Sequence, residues 1–178
     1  MRLVLSSQAR MVEWMAPEDV LRAVRQDYLE AIEWLYHVER DGRQSQRFIT
    51  GAMLVSVAQR MWTRVNTPSF TGALRADHCL VVRRFSEGGE SCIMIDHQTQ
   101  RRMATYHGRT GQRAATQDLG DASVVYQMNY DQSDGRWKIA AFIQELPRGW
   151  ERRSAEGARE WLVEAFSISP LDTSGRDA

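Results

Sequence analysis

The sequence has little of several features that define whole classes of protein. Two cysteines in 178 residues are too few for a disulfide-stabilised scaffold. Residues 1–5 contain no apolar core of signal-peptide length, and no run of about 18 apolar residues occurs. Basic and acidic residues number 23 each, so no net field attracts nucleic acid or an anionic membrane. We therefore expect a soluble, cytoplasmic protein with no membrane span and no nucleic-acid partner.

The two cysteines, Cys79 and Cys92, lie on the two strands of one predicted hairpin. With the turn at residues 88–89, Cys79 falls opposite Asp96 and Cys92 opposite Arg83, so the sulfurs are too far apart to bond. We expect two buried free thiols in a reducing compartment. A metal site would need further ligands at short spacing, which are absent, so we predict none.

Only one of the 23 basic residues is a lysine, Lys138. Arginine forks fit carboxylate and phosphate well, but GC-rich codon usage produces the same bias, and the scatter of the arginines favours that explanation. Arg83–Arg84 and Arg101–Arg102 are paired sites that a hairpin can bring together as an anion-binding patch. Neighbours on a strand alternate faces, so one of Arg83 and Arg84 would contribute, and solvated strand charge is the alternative.

The first third of the chain predicts two amphipathic helices. Pro17 followed by two acids is a typical helix start, and the helix it opens ends near Gly42. Thr50 can cap a second helix that ends before Pro68. The apolar stripes recur every three or four residues; they are Leu21, Val24, Tyr28, Ile32 and Leu35 in the first helix, and Met53, Leu54, Val57, Met61, Trp62 and Val65 in the second.

After the helices the apolar period changes to that of strands. Residues 79–85 and 91–97 predict a hairpin, a strand follows around 102–107, and a glycine-containing turn region comes next. Residues 123–131 and 137–143 predict a second hairpin. Helices followed by antiparallel strands indicate an α+β fold with the helices packed on one face of the sheet.

Two flanking segments complete the predicted organisation. Residues 1–16 form an N-terminal extension, residues 17–146 the folded domain, and residues 147–178 an addition. In that addition, apolar residues at helical spacing predict a helix over 154–166, followed by a loose polar tail.

Three features together resemble the nuclear transport factor 2-like superfamily. They are the long first helix, the phrase FITGAML at 48–54 that opens the second helix, and DGRWKIAAF at 134–142 in the last hairpin. The resemblance covers about residues 17–145 and is similar to small bacterial domains of the SnoaL-like and ketosteroid-isomerase-like kind. It implies helices packed in the concave face of a strongly curved antiparallel sheet, a cone-shaped α+β barrel, here with an added C-terminal helix. The superfamily includes dehydratases, isomerases, epoxide hydrolases and proteins that only bind, so the fold does not select the function.

Five residues are candidates for a cavity or ligand site inside such a cone: Asp96, Tyr126, Met128, Tyr130 and Trp137. Asp96 ends an apolar row, although a solvent-exposed strand end is the alternative. Tyr126 and Tyr130 share a face with Met128, where each phenol either donates to a ligand or simply packs. Asp96 and its neighbour His97 point to opposite faces and cannot form a dyad. None of the four histidines stands at a ligand or triad spacing, and we assign no catalytic residue, metal or cofactor.

Large apolar residues in the flanking segments are candidates for a partner interface, or else they cover the domain's own sheet. They are Trp14, Trp150, Trp161, Leu162 and Phe166. The leading hypothesis is a non-catalytic binding or scaffolding domain that contacts other proteins, as a homodimer through the outer face of the sheet or as a complex subunit. The alternative is a small-molecule cone, a lyase, isomerase or carrier for an apolar ligand. An interior filled by Met128 and Trp137 would argue against the alternative.

Overall fold

The computed structural model describes residues 11–12, 15–37, 41–66 and 71–147. The chain forms two compact units, residues 1–145 and residues 146–178, and the described elements all belong to the first. The predicted helix over 154–166, the tail after it and the five partner-interface candidates lie outside the described residues. In chain order the elements are β1 (Met11–Val12), α1 (Glu18–Tyr36), a 3-10 turn (Gly42–Gln44), α2 (Ser45–Phe48), α3 (Gly51–Asn66), β2 (Thr71–Arg83), β3 (Phe85–Ser86), β4 (Ser91–Tyr106), β5 (Arg113–Asp118), β6 (Ala122–Asp131) and β7 (Arg136–Glu145).

The sheet that organises this unit is antiparallel, curved and unclosed. Its strands follow the order β2–β4–β6–β7, and β5 pairs with the C-terminal part of β4, residues 102–106. A separate two-stranded pairing joins β1 to β3. The α+β class is as predicted. Among the described ranges, no helix has the length and apolarity needed to cross a bilayer.

Helix α1 begins where the sequence predicts. Glu18 and Asp19 occupy its first turn, where acids interact favourably with the positive end of the helix dipole. Its apolar stripe is buried from Val24 to Leu35, with Val24 and Tyr28 completely buried, whereas Leu21 at its start is partly buried. The helix ends at Tyr36, before the predicted end near Gly42, because His37 is extended and its N–H bonds to the Trp34 carbonyl.

The Thr-Gly pair of the FITGAML phrase has a structural reason. Ile49 forms a parallel bridge with Ile139, and the Thr50 N–H donates to the Ile139 carbonyl at 2.9 Å. Gly51 then takes φ +53°, and a Cβ there would lie 3.3 Å from the Ala140 carbonyl oxygen. Glycine adopts this backbone angle without steric cost. The chain can therefore leave its bridge with β7 at Ile49 and start α3 two residues later.

Two strands differ from the sequence-based expectation. The strand expected around 102–107 is not separate but continues β4, which runs without interruption through an irregularity in its pairing with β2. The expected turn region contains β5, all six residues of which are exposed. An edge strand with no buried position carries no apolar alternation, so its sequence gave no strand signal.

The first hairpin is offset by one residue from the predicted register. Cys79 lies opposite His97, and Leu80, not Cys79, lies opposite Asp96. Arg84, at φ +50°, follows the end of β2 and precedes the turn. A turn placed symmetrically between the two strands has no such extra residue. A shift of one residue moves a strand's side chains to the other face.

The register of the hairpin determines whether each of the two cysteine thiols is buried or exposed. Both are free, but Cys79 is exposed and only Cys92 is buried, so the prediction of two buried thiols is wrong for Cys79. Burial raises the pKa of the Cys92 thiol to about 12.

A continuous apolar core lies where α1 and α3 pack on the inner face of the sheet around β7. Met128 and Ile139 are fully buried in it. Trp137 packs edge-on against Phe85, with ring centroids 6.0 Å apart. This part of the interior is therefore packed and leaves no room for a ligand.

A polar clamp fixes α1 over β7. Arg136 donates to Asp27 at 3.1 Å and to Glu30 at 2.9 Å, and the Trp137 N–H donates to Asp27 at 2.8 Å. The hydrogen bond from Arg136 lowers the pKa of Glu30. These bonds attach α1, which forms one wall of the grooves described below, to β7.

Candidate functional site

Asp96 stands at the centre of a buried polar network. Its side chain is 0% exposed, and its Oδ2 atom is the acceptor for three groups. The Tyr28 hydroxyl donates at 2.8 Å, the Gln98 amide donates at 2.7 Å, and the His78 Nδ1 atom lies at 2.8 Å. Because a carboxylate oxygen accepts, Nδ1 carries the proton in this contact. Among the described residues, Asp96 Oδ1 has no partner.

Three elements bring these side chains together. Asp96 and Gln98 are two residues apart on β4 and share the inner face, and His78 on β2 lies directly opposite Gln98. Tyr28 comes from the buried stripe of α1. The Gln98 amide also donates to the Tyr36 hydroxyl at 3.1 Å, so the network ties α1 to the sheet at two points.

Two buried phenols near the network, those of Tyr28 and Tyr126, have raised pKa values. Burial, and then the charge of Asp96, raise the pKa of Tyr28 well above its ordinary value. Burial also raises the pKa of Tyr126. Both phenols therefore stay neutral donors at physiological pH.

A groove of about 740 Å³ opens beside the network, between α1 and the β2–β4 pair. His78 is part of its wall, with 18% of its side chain exposed. Tyr36 lies on the facing wall. With Nδ1 held by Asp96, Nε2 is the ring nitrogen left for a bound molecule, and no described residue bonds to it. His78 is thus a member of the network that a bound molecule can reach.

A second, smaller groove of about 440 Å³ lies between α1, α3 and the sheet. Its lining is mostly apolar and includes Met53, Val57, Tyr126 and Phe142. Both grooves reach Tyr36. Within the described part of the chain, no three His, Cys, Asp or Glu side chains are placed to hold a metal ion.

The five predicted cavity residues have four different locations. Tyr126 lines the smaller groove, and Asp96 lies in the network behind His78, fully buried. Met128 and Trp137 are core residues, and their predicted place in an open cavity is not what the structure shows. Tyr130 is 40% exposed, because it lies near the end of β6, and it packs on Trp137.

Sequence analysis missed three members of the network: Tyr28 as a hydrogen-bond donor, His78 and Gln98. The signal that could have found His78 is its place on the face of β2 that also carries Leu80 and Val82, both packed against the core. Recognising that signal required the correct register, since Asp96 was expected opposite Cys79.

The two arginine pairs also lie opposite other residues of the hairpin than the sequence led us to expect. Arg83 lies opposite Ile93, whereas Arg102 lies opposite Arg75. The hairpin therefore does not bring Arg83–Arg84 together with Arg101–Arg102. It places Arg102 beside an arginine that sequence analysis had not considered.

Comparisons with known proteins add information on the fold alone. No family model matches the chain, and no curated protein matches it. Among solved structures, it is similar to the crystal structure of the intermembrane space region of the chloroplast protein ARC6, with a TM-score of 0.53 and 11% sequence identity. The match covers 75% of this chain and 98% of that chain. At this identity the similarity concerns chain geometry and says nothing about activity.

Proposed function

We propose that this domain is a binding module that holds a small molecule in the groove between α1 and β2–β4, with His78 as a recognition group on its wall. The observation that carries the proposal is Asp96, a fully buried carboxylate that holds the one histidine of the network in contact with the groove. Burying a carboxylate is costly, and well-packed apolar residues often give equal or greater stability. Fixing the orientation and tautomer of a ligand-binding histidine accounts for that cost.

We also propose membership of the nuclear transport factor 2-like superfamily. The α-then-β order and the curved antiparallel sheet around α1 support it, as do the Thr50–Gly51 junction and the β6–β7 hairpin. Within such a fold, the packed interior at Met128 and Trp137 argues against an apolar ligand deep in the cone. It favours a ligand held in the open groove instead.

The homodimer and scaffold hypothesis stays a prediction. Its candidate residues are outside those the structure describes. On the face of the sheet opposite the helices, Ile93, Ile95 and Val125 are already buried. A homodimer through that face would find no exposed apolar surface at these three positions.

Filling the groove should abolish ligand binding. Ala76 lines it, and Ala76→Trp adds an indole there; Ala115→Trp adds the same group to exposed β5 as a matched control. With naphthalene-2-carboxamide as probe, two-dimensional NMR of the wild type is expected to show saturable shifts at residues 73–78. Ala76→Trp should lose at least about tenfold in affinity, equivalent to about 1.4 kcal/mol.

Ala115→Trp should bind the probe like the wild type. Melting curves of both variants would confirm that they fold. Absence of saturable shifts in the wild type, or saturable shifts that Ala76→Trp leaves unchanged, would contradict the proposal.

A further inference from the structure

Two arginines face each other across the β2–β4 pair at the groove. Arg75 lies directly opposite Arg102, and both line the 740 Å³ groove. Directly opposed residues in an antiparallel pair have Cβ atoms about 4.5–5.5 Å apart, and like charges at this spacing are destabilising. The pairing therefore costs stability in the unliganded protein.

A strained bulge creates this pairing. His78 pairs with Gln98 on one side of it and Arg75 with Arg102 on the other, so Gln100 and Arg101 together oppose the single residue Ala76. Gln100 has φ +52°, a conformation that non-glycine residues rarely adopt, and its N–H is held by the Asp121 carboxylate at 3.1 Å.

The bulge decides where Arg102 points. Continuing the pairing of Asp77 with Thr99 without the extra residue would set Arg102 opposite Leu74, on the face of β2 that carries His78. With the bulge, Arg102 joins Arg75 on the other face, where both side chains are exposed and both still border the groove. β-Bulges recur where a side chain has to be re-aimed, and backbone strain of this kind concentrates at functional sites.

Nearby acids form no ion pair with these two arginines. Glu33 and Asp77 line the same groove, and Asp118 lies opposite Arg102 on β5. None of these carboxylates forms an ion pair with either guanidinium. Asp118 accepts the Gly120 N–H at 2.8 Å instead.

We infer that Arg75 and Arg102 bind the anionic group, a carboxylate or a phosphate, of the molecule held in the groove. The inference rests on the proposed function, because the arginines line the same groove as His78. Two guanidinium forks side by side present parallel N–H donors to an oxyanion, a geometry that arginine supplies and lysine does not. The anion removes the repulsion between the two arginines when it binds.

The test compares probes of the same shape and different charge. Naphthalene-2-carboxylate is expected to bind the wild type roughly tenfold more tightly than naphthalene-2-carboxamide at low salt, since charge-assisted hydrogen bonds are the stronger kind. Arg102→Gln and Arg75→Gln should each abolish this preference, because each weakens binding of the carboxylate far more than binding of the carboxamide. Arg109→Gln, which removes an exposed arginine outside the groove, should keep it. 2-Naphthyl phosphate, as a third probe, decides between the two oxyanions by its affinity relative to the carboxylate.

The outcomes separate the two claims. Equal affinity of the wild type for the carboxylate and the carboxamide, or a preference that survives both arginine substitutions, would overturn the anion site and leave the proposed function standing. If none of the three probes binds, both fall. A melting temperature lower in Arg102→Gln than in the wild type would mark Arg102 as a structural residue and also count against the inference, since loss of like-charge repulsion should leave it unchanged or raise it.

Discussion

Replacing Asp96 with alanine is expected to lower the free energy of unfolding by about 3–5 kcal/mol. The substitution leaves the Tyr28 hydroxyl, the His78 Nδ1–H and a Gln98 amide proton without their shared acceptor. Each unpaired buried donor costs about 1–3 kcal/mol, and breaking a buried charged arrangement by removing one partner costs about 3–5 kcal/mol. Urea unfolding followed by circular dichroism measures the change.

Two further variants distinguish the contribution of the Asp96 carboxylate to stability from that of the volume its side chain fills. Asp96→Asn keeps the volume and one acceptor oxygen, so its loss should be smaller than that of Asp96→Ala. Asp77→Ala removes an exposed aspartate from β2 that makes no ion pair with a described residue, and it should change stability by no more than about 0.5 kcal/mol. If Asp96→Ala cost as little as Asp77→Ala, the network around Asp96 would not stabilise the fold as argued.

Replacing Trp137 with alanine is expected to cost about 3–5 kcal/mol, the range for truncating a buried aromatic residue. Its ring packs between Phe85 and Tyr130, with centroids 6.0 Å and 5.5 Å away, and the cavity left behind has no side chain to fill it. Phe142→Ala on the same strand is the matched control. Phe142 is 50% exposed, and its loss should stay near about 1 kcal/mol.

The affinity of Trp137→Ala for naphthalene-2-carboxylate distinguishes the two places where a ligand could be held. With the ligand in the α1–β2 groove, affinity should not change in the folded variant, because Trp137 does not line that groove. A small loss of stability together with a large change in affinity would instead place Trp137 at the wall of a ligand cavity, as the sequence alone suggests.

The helices and the second hairpin could be predicted because each carries its own periodicity. The buried stripe of α1 follows the helical period, and β6 alternates between apolar and polar residues from Tyr126 to Asp131. The Thr50–Gly51 phrase had a physical cause as well, a bridge followed by a left-handed residue. These are local signals, readable without knowledge of the rest of the chain.

The candidate site was harder to predict from the sequence because it depends on the register of the strands. One residue outside the ladder, Arg84, decides whether Cys79 or Leu80 lies opposite Asp96. The bulge at Gln100 in the same way decides whether Arg102 faces Arg75. Neither residue is a glycine, so nothing in the local sequence indicated a left-handed conformation at these positions. Asp96 was singled out correctly as a candidate, but the donors that surround it come from α1 and β2, and only the folded arrangement brings them together.

The most direct test of the central claim is a set of intermolecular nuclear Overhauser effects between naphthalene-2-carboxylate and the methyl groups of the protein. The account predicts contacts to the methyls of Ala73, Ala76 and Ile32, which line the groove, and none to Met128 or Ile139, which are fully buried in the core. Contacts to Met128 and Ile139 without contacts to the groove methyls would contradict it.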